Sequence, residues 1–230
     1  MQKTAVLVMA ACRCWGNFLA VPGVWGVGVA TSPHPFFCGD VFNCNIFTEF
    51  GEVSNFVLTV MNIEIVRCTR ADWERVKDIR LKALADAPDA FGSTFADESK
   101  LTDEQWIARA NTPNAAQFIA YTNGGSRAVG LIVGARNRDG PESTAGLYSM
   151  WVAPDARGLK IGSALVDTVK AWVREQGVYE RILLDVANDN TAAIRLYESC
   201  GFRPTGREGT LPPPREHILE HEMCFMIKEL

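Results

Sequence analysis

The chain has 230 residues, with 23 basic against 27 acidic side chains and a formal net charge of −4. A hydrophobic share of 47% beside 22% charged residues is typical of a chain that buries a core, which excludes global disorder. The basic side chains neither outnumber the acidic ones nor cluster along the chain, which excludes a nucleic-acid-binding protein.

Residues 1–60 differ from the rest of the chain, because they hold only five of the fifty charged side chains but four of the seven cysteines. Three interpretations compete. The apolar run 5–12 after Lys3 is typical of a short secretory or lipoprotein signal. The uncharged stretch 14–39 could span a membrane, but three prolines and five glycines interrupt it. We favour the third, in which residues 1–60 are an atypical extension outside the functional protein and Met61 is the true start.

Strand and helix patterns begin directly after Met61. Alternation over 63–66 predicts a strand. Two capping boxes, Thr69-x-x-Asp72 and Thr102-x-x-Gln105, predict helices that end before Pro88 and Pro113 respectively.

The middle of the chain predicts an antiparallel meander. Its three apolar, β-rich segments, at about 116–122, 128–136 and 144–153, are separated by turn sequences. The remaining elements follow in order: a helix over 160–176, a strand over 182–186, a helix capped by Asn190, and one or two strands within 216–227. This order predicts an α+β domain over 61–230, with a mixed, mostly antiparallel sheet flanked by helices.

Cysteines and histidines do not predict a disulfide framework or a metal site. The three cysteines after residue 60 are widely separated, which is typical of reduced thiols in a cytoplasmic protein. Cys200 and Cys224 flank apolar sequence and are interpreted as buried thiols. His217 and His221 lie four residues apart on an expected strand, about 13 Å, too far to share one metal ion.

The segment 150–163 combines a strand, a proline-stopped turn and a glycine-bearing loop that enters the helix over 160–176. Unpaired backbone amides and about half a positive charge at a helix N-terminus favour a pyrophosphate. Taken alone, the segment also fits an ordinary strand-to-helix turn.

A second segment, 184–202, favours the pyrophosphate site over an ordinary turn. Together the two read V-x-P-x-x-R-G-x-x-I-G and, about thirty residues later, L-x-V-x-x-x-N-x-x-A-x-x-L-Y-E-x-x-G-F. This pair resembles the acetyl-CoA site of the GNAT superfamily of N-acetyltransferases, and the resemblance extends over roughly 63–228. It implies a GNAT-like fold and acetyl transfer from acetyl-CoA to a primary amine of a small molecule or protein. The alternative is a silent acyl-CoA-binding module. We expect no metal and no membrane, and a homodimer stays open.

The resemblance also implies roles for individual residues. Pantetheine would pair with the backbone of Met150, Trp151 and Val152, where strand amides could also stabilise an oxyanion, and Asn190 would hold the pantetheine or its surroundings. The implied pyrophosphate site comprises Arg157, Gly158, Leu159, Lys160, Ile161, Gly162 and Ser163. Lys160 stands where the family usually has glycine, so its side chain could crowd the phosphates.

Aminolysis of a thioester requires two proton transfers. The resemblance implies Tyr197 as the acid that protonates the departing thiolate and Asp185 as the base that deprotonates the amine. A packed aromatic and a solvated strand-end carboxylate are the structural alternatives. Asp97 and Glu98, between the first two predicted helices, would suit a cationic acceptor, although solvated loop charges are commoner.

Overall fold

The computed structural model describes residues 63–122, 124–137 and 140–227, and the backbone of 42–47 and 53–58. The last two ranges form an antiparallel hairpin of β1 (Phe42–Phe47) and β2 (Val53–Leu58), which the sequence patterns did not predict. The segments interpreted as a signal or a membrane span, 5–12 and 14–39, lie outside the described residues, so our hypothesis about residues 1–60 stays a prediction. Among the helices that are described, none combines the length and apolarity needed to cross a membrane.

Seven strands form the sheet of the second unit, Ile63–Leu230. They are β3 (Glu64–Arg67), β4 (Ala115–Thr122), β5 (Arg127–Arg136), β6 (Thr144–Val152), β7 (Arg181–Ala187), β8 (Arg203–Thr210) and β9 (Leu219–Met226). The order across the sheet is β3-β4-β5-β6-β7-β9-β8. Within the described sheet, β6 and β7 pair in parallel and all other neighbours pair antiparallel, which confirms the predicted mixed sheet.

Five α-helices accompany this sheet in the described part of the chain: α1 (Trp73–Asp86), α2 (Phe95–Glu98), α3 (Asp103–Ala110), α4 (Ile161–Gln176) and α5 (Thr191–Ser199). Both capping boxes are confirmed, since the Thr69 and Thr102 side chains each accept from a backbone amide, and the backbone amides of these two threonines donate to the side chains of Asp72 and Gln105 respectively. Thr69 caps a short 3-10 turn that leads into α1. The four-residue α2 was not predicted, because one turn is too short to show helical periodicity.

The prediction of one or two strands within 216–227 is confirmed for one strand, whereas the strand before this range was not predicted. Only β9 lies there, and β8 precedes the proline run at 212–214. The β8 sequence R-P-T-G-R-E-G-T contains one proline and two glycines and is exposed along its whole length. This sequence therefore has little intrinsic preference for a strand, and β8 is a strand because it pairs with β9.

Glu98 is buried inside the protein. The sequence predicts a carboxylate that suits a cationic acceptor substrate or a solvated loop charge, and both expectations were wrong for this residue. Its side chain is 2% exposed and accepts from Arg80 Nε at 3.1 Å and Arg80 Nη2 at 3.0 Å. Arg109 Nη1 lies 2.9 Å from its second oxygen, and the Arg80 guanidinium stacks 4.6 Å from the Phe91 ring centroid. This network joins α1, α2 and α3 through one carboxylate.

Candidate active site

A gap opens in the middle of the sheet, between β6 and β7. The two strands pair only where Thr144–Gly146 lies beside Arg181–Leu183. Beyond that point β7 continues beside β9, whereas in the described sheet β6 runs on to Val152 paired only with β5. Backbone groups on the inner edge of β6 are therefore open to an extended ligand that takes the place of a strand.

A bulge shapes the end of β6. Trp151 lies opposite Leu131 and Tyr148 opposite Val133, so β6 carries one residue more than β5 between these pairs. Ser149, inside the bulge, has a φ of 56°, which is uncommon for a residue other than glycine. Bulges of this kind redirect the residues that follow and are frequent beside active sites.

The loop after β6 presents backbone amides at the start of α4. Gly158 has a φ of 80° and Lys160 a φ of 58°, so the chain turns through two left-handed residues before the helix begins. No side chain in the described structure caps α4. The first amides of a helix have no intrahelical acceptor, so those of Ile161, Gly162 and Ser163 suit an anion.

Lys160 occupies a conformation that glycine adopts without strain. Its backbone is left-handed, as a glycine's would be, and its side chain is exposed. A residue with a Cβ carries roughly 1–2 kcal/mol of backbone strain in this conformation. Crowding of the phosphates by the Lys160 side chain stays a prediction.

We expect Lys160→Gly to raise the free energy of unfolding by about 0.5–1 kcal/mol, because relief of the left-handed strain exceeds the added freedom of the unfolded chain. Chemical denaturation measures this effect. Lys160→Ala is the matched control, since it removes the same charge and keeps the strain. Equal stability of the two variants would contradict the strain assignment.

Gly162 brings three elements together. A Cβ at this position would lie 2.9 Å from Leu196 Cδ2 on α5 and 3.1 Å from Met150 Cε on β6. The close approach puts the first turn of α4 beside the end of β6 and beside α5. Substituting Gly162 would therefore disturb packing as well as any anion site.

Tyr197 lies on α5 with 6% of its surface exposed. Its ring centroid is 5.8 Å from that of Phe202, which is 5.6 Å from that of Phe225 on β9. Burial raises the pKa of the Tyr197 phenol well above its ordinary value, with a smaller contribution from Cys200. The phenol therefore stays protonated throughout the neutral range.

Asp185 is exposed near the end of β7, opposite Glu222 on β9. Glu222 and Phe225 are three residues apart on one strand, so they face opposite sides of the sheet. Asp185 thus lies on the side away from Phe225 and Tyr197. Glu220 lies opposite Ala187 and on the same face of the sheet as Asp185. Burial raises the pKa of Glu220, and the charge of Asp185 raises it further.

Asn190 caps α5, because its Oδ1 accepts from the Ala193 amide at 3.2 Å. Its role toward pantetheine stays a prediction. His221 Nδ1 lies 2.7 Å from Asn188 Oδ1, and no group of three potential metal ligands occurs within the described ranges. Cys200 and Cys224 form no disulfide, and burial raises the pKa of both thiols.

Sequence patterns missed two residues beside this site, Asp86 and Arg215. Asp86 Oδ2 accepts from Trp151 Nε1 at 2.9 Å and from Arg157 Nη2 at 2.7 Å. Arg215, between β8 and β9, donates to Pro88 O and, at 3.1 Å, to Gly92 O. An acidic residue at a helix C-terminus was the available sign for Asp86, because it opposes the helix dipole. Arg215 offered no comparable sign.

A family model described as the acetyltransferase (GNAT) family matches residues 76–202. The chain belongs to this family. The matched range begins within α1 and extends past the end of α5, and it includes the loop 157–163 and the helix that carries Tyr197.

Curated relatives are about a third identical to the chain over the segments that align with it. It is 36% identical over 125 residues to a mycothiol acetyltransferase from Geodermatophilus obscurus, a match over 53% of this chain and 38% of that protein. It is 32% identical over 116 residues to human N-acetyltransferase 8B, over 49% of this chain and 50% of that protein. The chain thus spans half or less of the length of these relatives.

Solved structures of GNAT proteins share its fold. An acetyltransferase of the GNAT family from Streptococcus pneumoniae superposes with a TM-score of 0.61 at 20% identity, covering 73% of this chain and 100% of that one. A putative acetyltransferase from Salmonella typhimurium, solved with its cofactor acetyl-CoA, superposes with a TM-score of 0.60 at 17% identity. This match covers 75% of this chain and 96% of that one.

Proposed function

We propose that this chain transfers the acetyl group of acetyl-CoA to a primary amine. The observation that carries the proposal is the open inner edge of β6, which ends at the loop 157–163, where backbone amides without an intrahelical acceptor can bind an anion. These two features suit the two ends of one cosubstrate. The pantetheine arm has amide groups that can pair with Met150 and Val152 like a missing strand, and the pyrophosphate can lie on the loop amides.

In the proposed reaction the neutral amine nitrogen attacks the thioester carbonyl carbon, the C–N bond forms, and the C–S bond breaks. The proton lost by the amine passes to Asp185 or, through it, to solvent. Tyr197 donates its phenolic proton to the leaving thiolate and regains a proton from water. Backbone amides at the end of β6 stabilise the oxyanion.

The positions of the two side chains support this division of roles. Asp185 and Tyr197 lie on opposite sides of the sheet, and Asp185 follows the point at which β7 stops pairing with β6. A cosubstrate held from the α4 and α5 side would bring its sulfur toward Tyr197. The acceptor amine would approach from the side of Asp185, so each proton transfer has its own group.

We propose that the acceptor binds in a cavity of about 350 Å³ beside the end of β7. It is lined by Asp89, Asn188, Asp189, His217, Ile218 and Leu219. The Arg215 contacts to Pro88 and Gly92 join two of its bordering loops, the one after α1 and the one before β9. Its carboxylates would favour a cationic amine over an anionic one.

Release of free coenzyme A from acetyl-CoA, followed with a thiol reagent, tests the activity. The panel contains polyamines, small monoamines, lysine peptides and peptides with N-terminal alanine, each compared with acetyl-CoA alone. Amine-dependent release supports the proposal. Tight acetyl-CoA binding with no release for any amine would favour a silent binding module instead.

We expect Asp185→Asn to make turnover steeply dependent on pH. Without a base only the neutral amine reacts, and an amine with a pKa of about 10.4 becomes about tenfold more abundant in that form per pH unit. The wild-type profile should be flatter between pH 6 and 9. Glu220→Gln is the matched variant. If Glu220→Gln gives the steep pH profile and Asp185→Asn keeps the wild-type profile, Glu220 and not Asp185 is the base.

A further inference from the structure

The carboxylate of Asp86 joins α1 to the two segments proposed to bind acetyl-CoA. Asp86 is the last residue of α1, and one of its oxygens accepts both Trp151 Nε1 and Arg157 Nη2, at 2.9 and 2.7 Å. Trp151 belongs to the end of β6, whereas Arg157 opens the loop that leads to α4. A single oxygen atom therefore fixes a strand residue and a loop residue relative to each other.

Arg157 completes this connection through its second donor. Its Nε donates to the Val152 carbonyl at 3.0 Å. The Ala153 amide bonds to Val129 on β5, so the backbone groups of Val152 point the other way, toward the gap. The guanidinium thus spans from Asp86 to the last carbonyl on the open edge of β6.

Neither contact follows from general requirements of folding. Trp106 and Trp172 are also buried, and their indole nitrogens have no hydrogen-bond acceptor among the described residues, so the bond of Trp151 is not a necessity of burial. An acidic residue at the C-terminus of a helix is disfavoured by the helix dipole, and the last turn of α1 carries no basic residue. Asp86 occupies this unfavourable position in contact with Arg157.

We propose that Asp86 is a positioning residue for acetyl-CoA, which holds the end of β6 and the loop 157–163 in the relative geometry that binds both ends of the cosubstrate. This inference rests on the proposed function. A ligand that contacts two separate segments binds tightly only if their spacing is set beforehand, because otherwise binding has to order them. Asp86 sets that spacing through Trp151 on one segment and Arg157 on the other.

The test compares Asp86→Ala and Asp86→Asn with wild type in the full chain. We expect Asp86→Ala to raise the Kd and KM for acetyl-CoA on the order of tenfold, with kcat changed less than about threefold, because geometry and not chemistry is lost. Asp86→Asn keeps an acceptor for Trp151 but loses the charge that holds Arg157, so its effect should be smaller. Asp78→Ala, an exposed aspartate on the same helix, is the matched control and should leave all three constants unchanged.

A double-mutant cycle with Arg157→Ala separates positioning from general destabilisation. If Asp86 acts through Arg157, the double variant should bind acetyl-CoA no more weakly than the weaker single variant. Wild-type affinity in Asp86→Ala, or equal losses in KM and kcat, would overturn the proposal. If Asp86→Ala does not fold, wild-type affinity in a folded Asp86→Asn would overturn it equally. Absence of acetyl-CoA binding by the wild-type chain would instead refute the proposed function.

Discussion

Replacing Tyr197 with phenylalanine is expected to lower kcat about a hundredfold while leaving the KM for acetyl-CoA within about threefold. The phenol is needed when the C–S bond breaks and negative charge develops on sulfur. Its ring also packs against Phe202, and phenylalanine keeps that contact. The loss should therefore appear in turnover and not in stability or cosubstrate affinity.

Burial of the Tyr197 phenol also predicts how turnover depends on pH. Because burial raises the pKa of Tyr197, its proton remains available well above neutral pH. A fall in turnover between pH 7 and 9 would have to come from another group. Tyr179→Phe is the matched control, since Tyr179 is likewise 6% exposed but lies beside Trp172. Wild-type turnover in Tyr197→Phe would remove the phenol from the mechanism.

Glu98→Ala is expected to destabilise the fold by about 3–5 kcal/mol, the largest stability change that we predict. The substitution leaves the Arg80 guanidinium, with its side chain 10% exposed, without its carboxylate partner. A domain of this size should then melt roughly 6–20 °C lower, measured by calorimetry. Glu175→Ala, at an exposed position on α4, should change stability by less than about 0.5 kcal/mol.

The effect of Glu98→Ala should depend on pH with a definite sign. Burial alone would raise the pKa of Glu98, but the hydrogen bonds and charge of Arg80 and the charge of Arg109 outweigh it and lower the pKa. The stabilisation is therefore complete above the unfolded-state pKa of about 4.3 and is lost as pH falls through the lower folded-state value. Wild type and variant should converge in stability at acid pH. A difference that persists unchanged to pH 2 would contradict the assignment.

Local patterns predicted most of this fold because its elements carry their own end signals. The capping boxes at Thr69 and Thr102, Gly177 after α4 and the turns between β4, β5 and β6 are encoded within a few residues. β8 lacks such signals, since its sequence favours a loop and only β9 makes it a strand. Pairing between distant segments cannot be read from one segment alone.

The candidate site divides in the same way. The loop 157–163 and the helix that carries Tyr197 could be predicted because their motifs are contiguous. Asp86 and Trp151 are 65 residues apart, and Arg215 and Pro88 are 127 apart, so no local pattern relates them. For Glu98 the local sequence led to the wrong expectation, because a carboxylate in a polar segment is usually solvated. Its burial depends on the Arg80 guanidinium, which donates to both of its oxygens.

Both outer edges of the sheet are unfavourable for self-association. The two outer edges of the sheet are β3, only four residues long, and β8, which carries Pro204, charged side chains and an irregular register with β9. Short, charged and proline-bearing edges resist addition of a strand from another molecule. The longer strand β6 has its free edge inside the gap, bounded by β7. Foreign strands are thus discouraged at the rim of the sheet, while a narrow extended ligand can still reach its middle.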